Sequence, residues 1–311
     1  MKEGELGRKK NQRSQKRSQK RRFARVMQYF LVVGLSLLLG IAIGFSFNFF
    51  AGLREKEQSF SLQVFGSLGA PVTLEVHGKL PAKDGVKVLK VGTGAEIREG
   101  NQLLYRVSSF TYSPGRVTKD NGFTQFSATS AKRNELGALA DAVIGQKIGS
   151  RIAYLKNSSQ KSATEIVIID LLPTRLSGEH RQPVGWSGNP IVNNSPDFFP
   201  DIVTVADPPT ELKVHSLISG KGDQVSLADE VYVNYLLKDY EGNVVQDTYR
   251  GSAPVLLKLK DVFAGLQQGI VDQRIGSRLL IAIPASLAHG DKNLIAVVDL
   301  LAKANKKEAK S

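Results

Sequence analysis

The chain has 311 residues, 41% apolar and 23% charged, enough apolar material for real cores and too much chain for one small domain. It holds no cysteine, which removes disulfides, thiol nucleophiles and cysteine-type zinc sites. The net charge of +13 suggests nucleic acid only until its position is read: residues 1–25 carry eleven Lys/Arg against Glu3 and Glu5, an excess of nine that leaves four for the rest.

Directly after this basic arm, residues 26–53 carry no charge at all. That run is long enough to cross a hydrocarbon core of ~30 Å as a helix. It exceeds the roughly 7–15 apolar residues of a signal peptide, and no small-x-small cleavage site follows it. The pattern predicts an uncleaved transmembrane signal anchor over 26–53. The positive-inside rule places the arm in the cytoplasm and everything after Leu53 outside the cell membrane. The expected partner of the arm is then the lipid bilayer, and no nucleic acid is called for. Gly40 and Gly44 form a GxxxG, which is common in membrane helices and needs no dimer to explain it.

Beyond the anchor the chain repeats itself. GSLGAPV (66–72) recurs as GWSGNPI (185–191), and VGTGAEIREGNQLLYRV (91–107) lies on SGKGDQVSLADEVYVNY (219–235). GQKIGSR (145–151) returns as DQRIGSR (272–278), and EIVIIDLL (165–172) as LIAVVDLL (294–301). Four blocks in one order at nearly constant spacing indicate two copies of one domain, over 60–175 and 183–303. Most of each copy reads as strand, with alternating apolar and β-branched residues as in DEVYVNYLL (229–237). KDVFAGLQQGI (260–270) has helical spacing, Val262, Phe263, Leu266 and Ile270, with Asp261 as a candidate cap. The paired glycines Gly92/Gly94 and Gly220/Gly222 lack a third glycine and a following helix, so tight turns are expected there. The fold class expected is α+β, a transmembrane helix followed by two antiparallel sheets, each bent around one short helix. Six of twelve prolines fall between Pro183 and Pro209, predicting a stiff extended linker between the sheets. Residues 304–311 read as a solvated, disordered tail.

The usual catalytic sets are missing. His77, His180, His215 and His289 are scattered, with no metal-spaced pair, no nucleophile–base ordering and no phosphate loop. Neither a metal nor another cofactor is expected. An activity that needs only a shaped apolar cleft remains open.

The second copy resembles the FKBP-type peptidyl-prolyl cis-trans isomerases over about Leu212–Ala302, and the first does so more weakly over Val86–Leu172. The resemblance lies in the order of parts: the G-x-G turn, the V-x-V-x-Y strand, the Glu-Gly hairpin, the V-F-x-G-L helix start, G-x-x-x-G-S-R-like spacing, Ile-Pro with Ala-His-Gly, and the last V-x-L-L strand. It implies a cleft that receives proline-containing segments of exported polypeptides. By position it assigns Tyr235 on the strand, Val262 and Phe263 at the helix start, Leu266 as floor and His289 in the Ala-His-Gly loop. Val245, Gln246 and Tyr249 would meet the substrate. Val245-Gln246 replaces the family's usual Phe-Asp, with Asp247 one place late, while Leu266 replaces a frequent Trp and Ala296 a Phe. A wider, less aromatic pocket is therefore expected. In the first copy Val107 aligns with Tyr235, and LKNSSQKSATE (155–165) replaces the Ile-Pro and Ala-His-Gly elements, so that copy is expected to be a structural or binding unit. The chain as a whole is expected to be a membrane-anchored extracytoplasmic foldase. The alternative is a non-catalytic chaperone or scaffold module of the cell envelope.

Overall fold

The computed structural model describes residues 60–304, apart from 79, 81–82, 114, 158–162, 184–189, 205–206, 289 and 291. The basic arm, the expected membrane span over 26–53 and the tail beyond Ala304 lie outside the described residues. Among the described residues no helix is long and apolar enough to cross a membrane.

A hairpin of β1 (Ser61–Phe65) and β2 (Thr73–His77) comes first, then a five-stranded antiparallel sheet. Its strands are β3 (Gly85–Lys90), β4 (Gln102–Ser113), β5 (Arg116–Ser130), β6 (Arg151–Asn157) and β7 (Thr164–Leu172), in the order β3-β6-β7-β4-β5. Between β5 and β6 run two single turns of helix, α1 (Arg133–Leu136) and α2 (Ala140–Val143). A second hairpin, β8 (Ile191–Asn194) and β9 (Pro200–Thr204), precedes the second sheet. That sheet contains β10 (Lys213–Ile218), β11 (Glu230–Asp239), β12 (Val244–Asp247), β13 (Val255–Lys258), β14 (Arg278–Ile283) and β15 (Leu294–Lys303). The helix α3 (Ala264–Ile270) crosses it. The order is β10-β14-β15-β11-β12, with β13 also pairing β11, which reproduces the first sheet strand for strand. The registers agree as well: Asp170 faces both Arg106 and Arg151, and Asp299 faces both Asn234 and Arg278.

Both faces of each sheet are buried, as the apolar strands require. In the second sheet Val231, Val233, Tyr235 and Leu237 turn toward α3, while Leu236, Leu280, Ile295 and Val297 turn away and meet Val192 and Ile202 of the β8–β9 hairpin. In the first sheet Ile152, Ile169 and Leu171 meet the short helices, while Ala153, Leu155, Ile166 and Ile168 meet Leu62 and Val72 at the first hairpin. Part of the segment expected as a stiff, extended linker is thus the β8–β9 hairpin, which covers the second sheet. Prolines fit a sheet edge or a strand start, and Pro200 opens β9. An isolated two-stranded hairpin is marginal alone, so each is stable only by covering a sheet.

The repeated heptads hold these covers in place. Arg151 grips Asp170 with two bonds of 2.6 and 2.8 Å, and Arg278 grips Asp299 at 2.6 and 2.7 Å. The remaining donors of Arg151 reach Gly66 O and Ser67 O in the first hairpin's turn, both at 2.8 Å. Those of Arg278 reach Asn194 Oδ1 and Phe198 O in the second hairpin. Beside each arginine, Ser150 Oγ accepts the Gly92 N–H and Ser277 Oγ the Gly220 N–H, both at 2.9 Å. These glycines are not there for a tight turn. A Cβ on Gly92 would lie 2.2 Å from Ile148 O, and one on Gly220 would lie 2.4 Å from Ile275 O. Only a hydrogen fits where the two backbones touch.

Candidate functional site

The helix α3 sits unusually close to its sheet, because Gly265 and Gly269 are spaced one turn apart on its inner side. A Cβ at Gly265 would fall 2.2 Å from Ile283 Cγ2, and one at Gly269 would fall 2.7 Å from Ile281 Cδ1. That seat fixes the helix against β14. The helix begins after Phe263, whose extended backbone supplies the N-cap position without a side-chain bond. Asp261, expected to cap it, stands instead at the mouth of a cleft.

The cleft has a volume of about 460 Å³. Its walls are Tyr235 and Leu237 from β11, Leu257 from β13, Leu294 from β15, and Val262 and Phe263 before α3. Leu266 lies at its base, 3% exposed, so it floors the cleft and belongs to the core at once. Val245 and Gln246 of β12 complete the outer side. The structure thus brings together Tyr235, Val245, Gln246, Val262, Phe263 and Leu266, six residues named from the sequence. His289 lies outside the described residues.

Tyr249 does not join them. It follows the end of β12, where the chain turns to the opposite side of the sheet, and is buried among Val192, Leu236, Leu280 and Val297. Burial pushes its phenol well above the ordinary range. Its loop fixes this direction: Thr248 N–H is bonded to Tyr235 O at 2.9 Å and Tyr249 N–H to Asp247 Oδ1 at 3.0 Å.

Sequence reasoning missed Leu237, Leu257, Leu294, Asp261 and Lys292 as lining residues. Leu237 was within reach, because it is two places beyond Tyr235 on an alternating strand and so shares its face. Lys292 carries no such signal. It arrives from the short loop before β15 and pairs with Asp239 Oδ2 at 3.1 Å and Glu241 Oε2 at 3.2 Å. Asp239 is held well below the usual carboxylate range, first by the Asn243 side chain and then by the Asn243 N–H and Lys292. Burial raises the Tyr235 phenol, which is therefore a neutral hydrogen-bond donor at physiological pH. Among the described residues no three His, Asp or Glu side chains gather as a metal site. The cleft can enclose a small apolar ring and offer a phenol at its wall.

The first sheet lacks this arrangement. By the repeat, Leu136, Leu139 and Val107 stand where Phe263, Leu266 and Tyr235 stand. Glu135 takes the place of Val262, and its carboxylate accepts the Ser130 N–H and the Thr129 hydroxyl. The outer edge differs too. β5 is one strand of fifteen residues that pairs with β4 on both sides of a register shift between Ser108 and Phe110, whereas β12 and β13 are separate strands and the chain between them leaves the edge.

Comparison with known proteins finds a family match within the second repeat. Residues 221–303 match the profile of the FKBP-type peptidyl-prolyl cis-trans isomerases. The peptidyl-prolyl cis-trans isomerase Mip of Coxiella burnetii is 30% identical over 99 residues, covering 32% of this chain and 42% of that protein. A probable FK506-binding protein of Corynebacterium glutamicum is 26% identical over 107 residues, covering 31% of this chain and 91% of that protein. Among solved structures, FkpA from Escherichia coli is 22% identical over 36% of this chain and 51% of its own, with a TM-score of 0.29.

Proposed function

From the premise that residues 221–303 form a domain of the FKBP-type peptidyl-prolyl cis-trans isomerase family, we propose that its cleft binds proline in a peptide and speeds rotation about the preceding bond. One observation carries this reading: Tyr235, Val262, Phe263 and Leu266 converge on a single apolar cavity of about 460 Å³ inside the matched segment.

The chemistry asks little of the protein. Rotation costs the amide its resonance, a barrier of ~18–20 kcal/mol. A cleft that fits the twisted amide better than either planar isomer lowers that barrier without a covalent step. Apolar walls strip water from the bond, and the loss of resonance is eased in that drier setting. Leu257, Leu266 and Leu294 supply such walls, Phe263 closes one side, and the Tyr235 hydroxyl is placed to donate to a peptide carbonyl. The substrate class is then a flexible proline-bearing chain. The first repeat, with the same strand order but Val107 and Glu135 at the corresponding places, is read as a degenerate FKBP-like unit without isomerase activity.

The location is read from the sequence alone: the basic arm and the uncharged run over 26–53 support a single-pass anchor with both repeats outside, and exported polypeptides as substrates. The test is exchange spectroscopy or a protease-coupled assay with X-Pro peptides and the full chain. Acceleration above the uncatalysed rate supports the isomerase. Saturable peptide binding without acceleration gives the chaperone or scaffold reading, which Val245 and Gln246 favour because both stand at the cleft's exposed edge without an aromatic ring.

A further inference from the structure

The cleft's wall is fastened from the other repeat. Gln102, the first residue of β4, is 8% exposed, and its described side-chain hydrogen bonds all cross into the second repeat. Its Nε2 donates to Thr248 O at 2.8 Å and to Gly251 O at 2.9 Å, and its Oε1 accepts from Asn234 Nδ2 at 2.8 Å. Asn234 is fully buried and also donates to Thr174 O at 2.8 Å, in the segment that joins the repeats. Asn234 Oδ1 accepts from Thr248 Oγ1 at 3.0 Å, and Thr248 Oγ1 accepts the Tyr235 N–H at 2.7 Å. The chain of bonds therefore runs from Gln102 through Thr248 to the backbone of the cleft tyrosine.

This happens at the point where the edge is weakest. β12 ends at Asp247 and β13 begins at Val255, so Tyr235 lacks an ordinary ladder partner on that side and is held by Thr248. Between them, residues 248–254 have two carbonyls that Gln102 fixes. The repeats have also diverged here. Glu230 and Asn234 stand where the first repeat has Gln102 and Arg106, so the bridge is not a remnant shared by both copies.

We propose that Gln102, although it belongs to the first repeat, is a positioning residue for the cleft of the second: it sets the place of Tyr235 and of the 248–251 loop. The inference rests on the isomerase reading of that cleft for its kinetic consequence, but not for its geometric one. Its implication is that the first repeat serves as a built-in brace for the site.

The experiment compares full-length Gln102→Leu with Leu103→Ala, a neighbouring substitution in the first repeat's own core that touches none of these bonds. Kinetics on an X-Pro peptide and hydrogen–deuterium exchange of peptides covering 230–252 are read from the same samples, with melting temperatures to compare the losses of stability. Misplaced site groups cost rate steeply, so Gln102→Leu is expected to lower kcat/KM by roughly three- to tenfold, mostly in kcat, and to speed exchange at 235 and 248–251. Leu103→Ala is expected to melt lower while leaving both readouts close to wild type. A Thr248→Val variant should lose a similar factor, and the double variant with Gln102→Leu little more, since both break one path. Equal loss from Gln102→Leu and Leu103→Ala, or exchange at 230–252 unchanged by Gln102→Leu, overturns the proposal. If the wild-type chain has no isomerase activity, the functional reading fails by itself, and the exchange data alone decide whether Gln102 sets the cleft.

Discussion

Tyr235 joins two demands in one side chain: the residue is 6% exposed in the core facing α3, and it also lines the cleft. Tyr235→Phe keeps the ring and removes only the donor. A several-fold drop in kcat/KM or peptide affinity is expected with little change in melting temperature, because a typical hydrogen bond contributes about 1 kcal/mol net. Leu266→Ser should weaken peptide binding and also stability, as a buried leucine truncated toward a polar group loses about 2–5 kcal/mol. Tyr249→Phe should leave peptide binding unchanged, since its ring is on the other side of the sheet; a peptide titration would show otherwise if the tyrosine reached the cleft. Catalysis needs no net proton transfer, and burial raises the Tyr235 phenol. The pH–rate profile should therefore stay flat through the ordinary histidine range near ~6.5. A step there would bring His289 back into the mechanism. Asp239 behaves differently. Its folded-state pKa is depressed below 3.8, so the stability it contributes is complete above that value and is lost as pH falls through the folded one. Acid unfolding of Asp239→Asn should accordingly lack that component.

At the scale of elements, the seat of α3 is the sensitive joint. Gly265→Ala places a methyl within 2.2 Å of Ile283 Cγ2, so the helix must lift or the isoleucine must move. Overpacking of this kind costs about 1–3 kcal/mol, and lifting the helix start would also shift Val262 and Phe263. Thermal unfolding and peptide affinity should both fall. Arg278→Met leaves Asp299 buried without its partner and should destabilise by about 3–5 kcal/mol, measured by denaturant titration. The elements also show what a sequence can and cannot tell. Alternation made β11 legible, short apolar runs bounded by turn residues marked β14 and β15, both buried along their length, and helical spacing marked α3. The order of the repeat blocks carried the equivalence of the two sheets, while the place of Tyr235, Phe263 and Leu266 came from the resemblance to the FKBP-type family. The hairpin of β8 and β9 was hidden, since prolines and short polar stretches speak for a linker and only Val192 and Ile202, pressed on the far sheet, make it a cover. Tyr249 was misplaced for a related reason: a loop's direction is set by bonds to distant residues, and periodicity does not extend through a turn. Lys292 and Asp261 at the cleft mouth depend on three-dimensional proximity that no local pattern encodes.

At the largest scale, the described residues from Phe60 to Ala304 cluster as one compact unit. The two sheets meet through Leu104, Leu172 and Leu176 against Ile218, Leu301 and Ala302, with the Phe126 and Tyr232 rings 6.3 Å apart. A fragment of 183–303 carries the cleft but exposes this apolar contact. It is expected to keep measurable isomerase activity at reduced stability, while 60–175 is inert. Equal activity from both fragments would refute the assignment of the site to the second repeat. For the anchor, protease added to intact spheroplasts should digest the repeats and spare the basic arm, and a mature chain beginning near residue 50 would contradict it.

The buried arginine–aspartate clasp, spaced 19 residues in one sheet and 21 in the other, stands in both sheets, whereas Tyr235, Phe263 and the separate strands β12 and β13 belong to the second alone. What the two halves share is thus the rivet rather than the tool. Distant kin that have given up the chemistry altogether should still display the rivet, and a search keyed to a Gly-Ser-Arg followed about twenty residues later by an aspartate in an apolar strand would find them where a search for the cleft would pass them by.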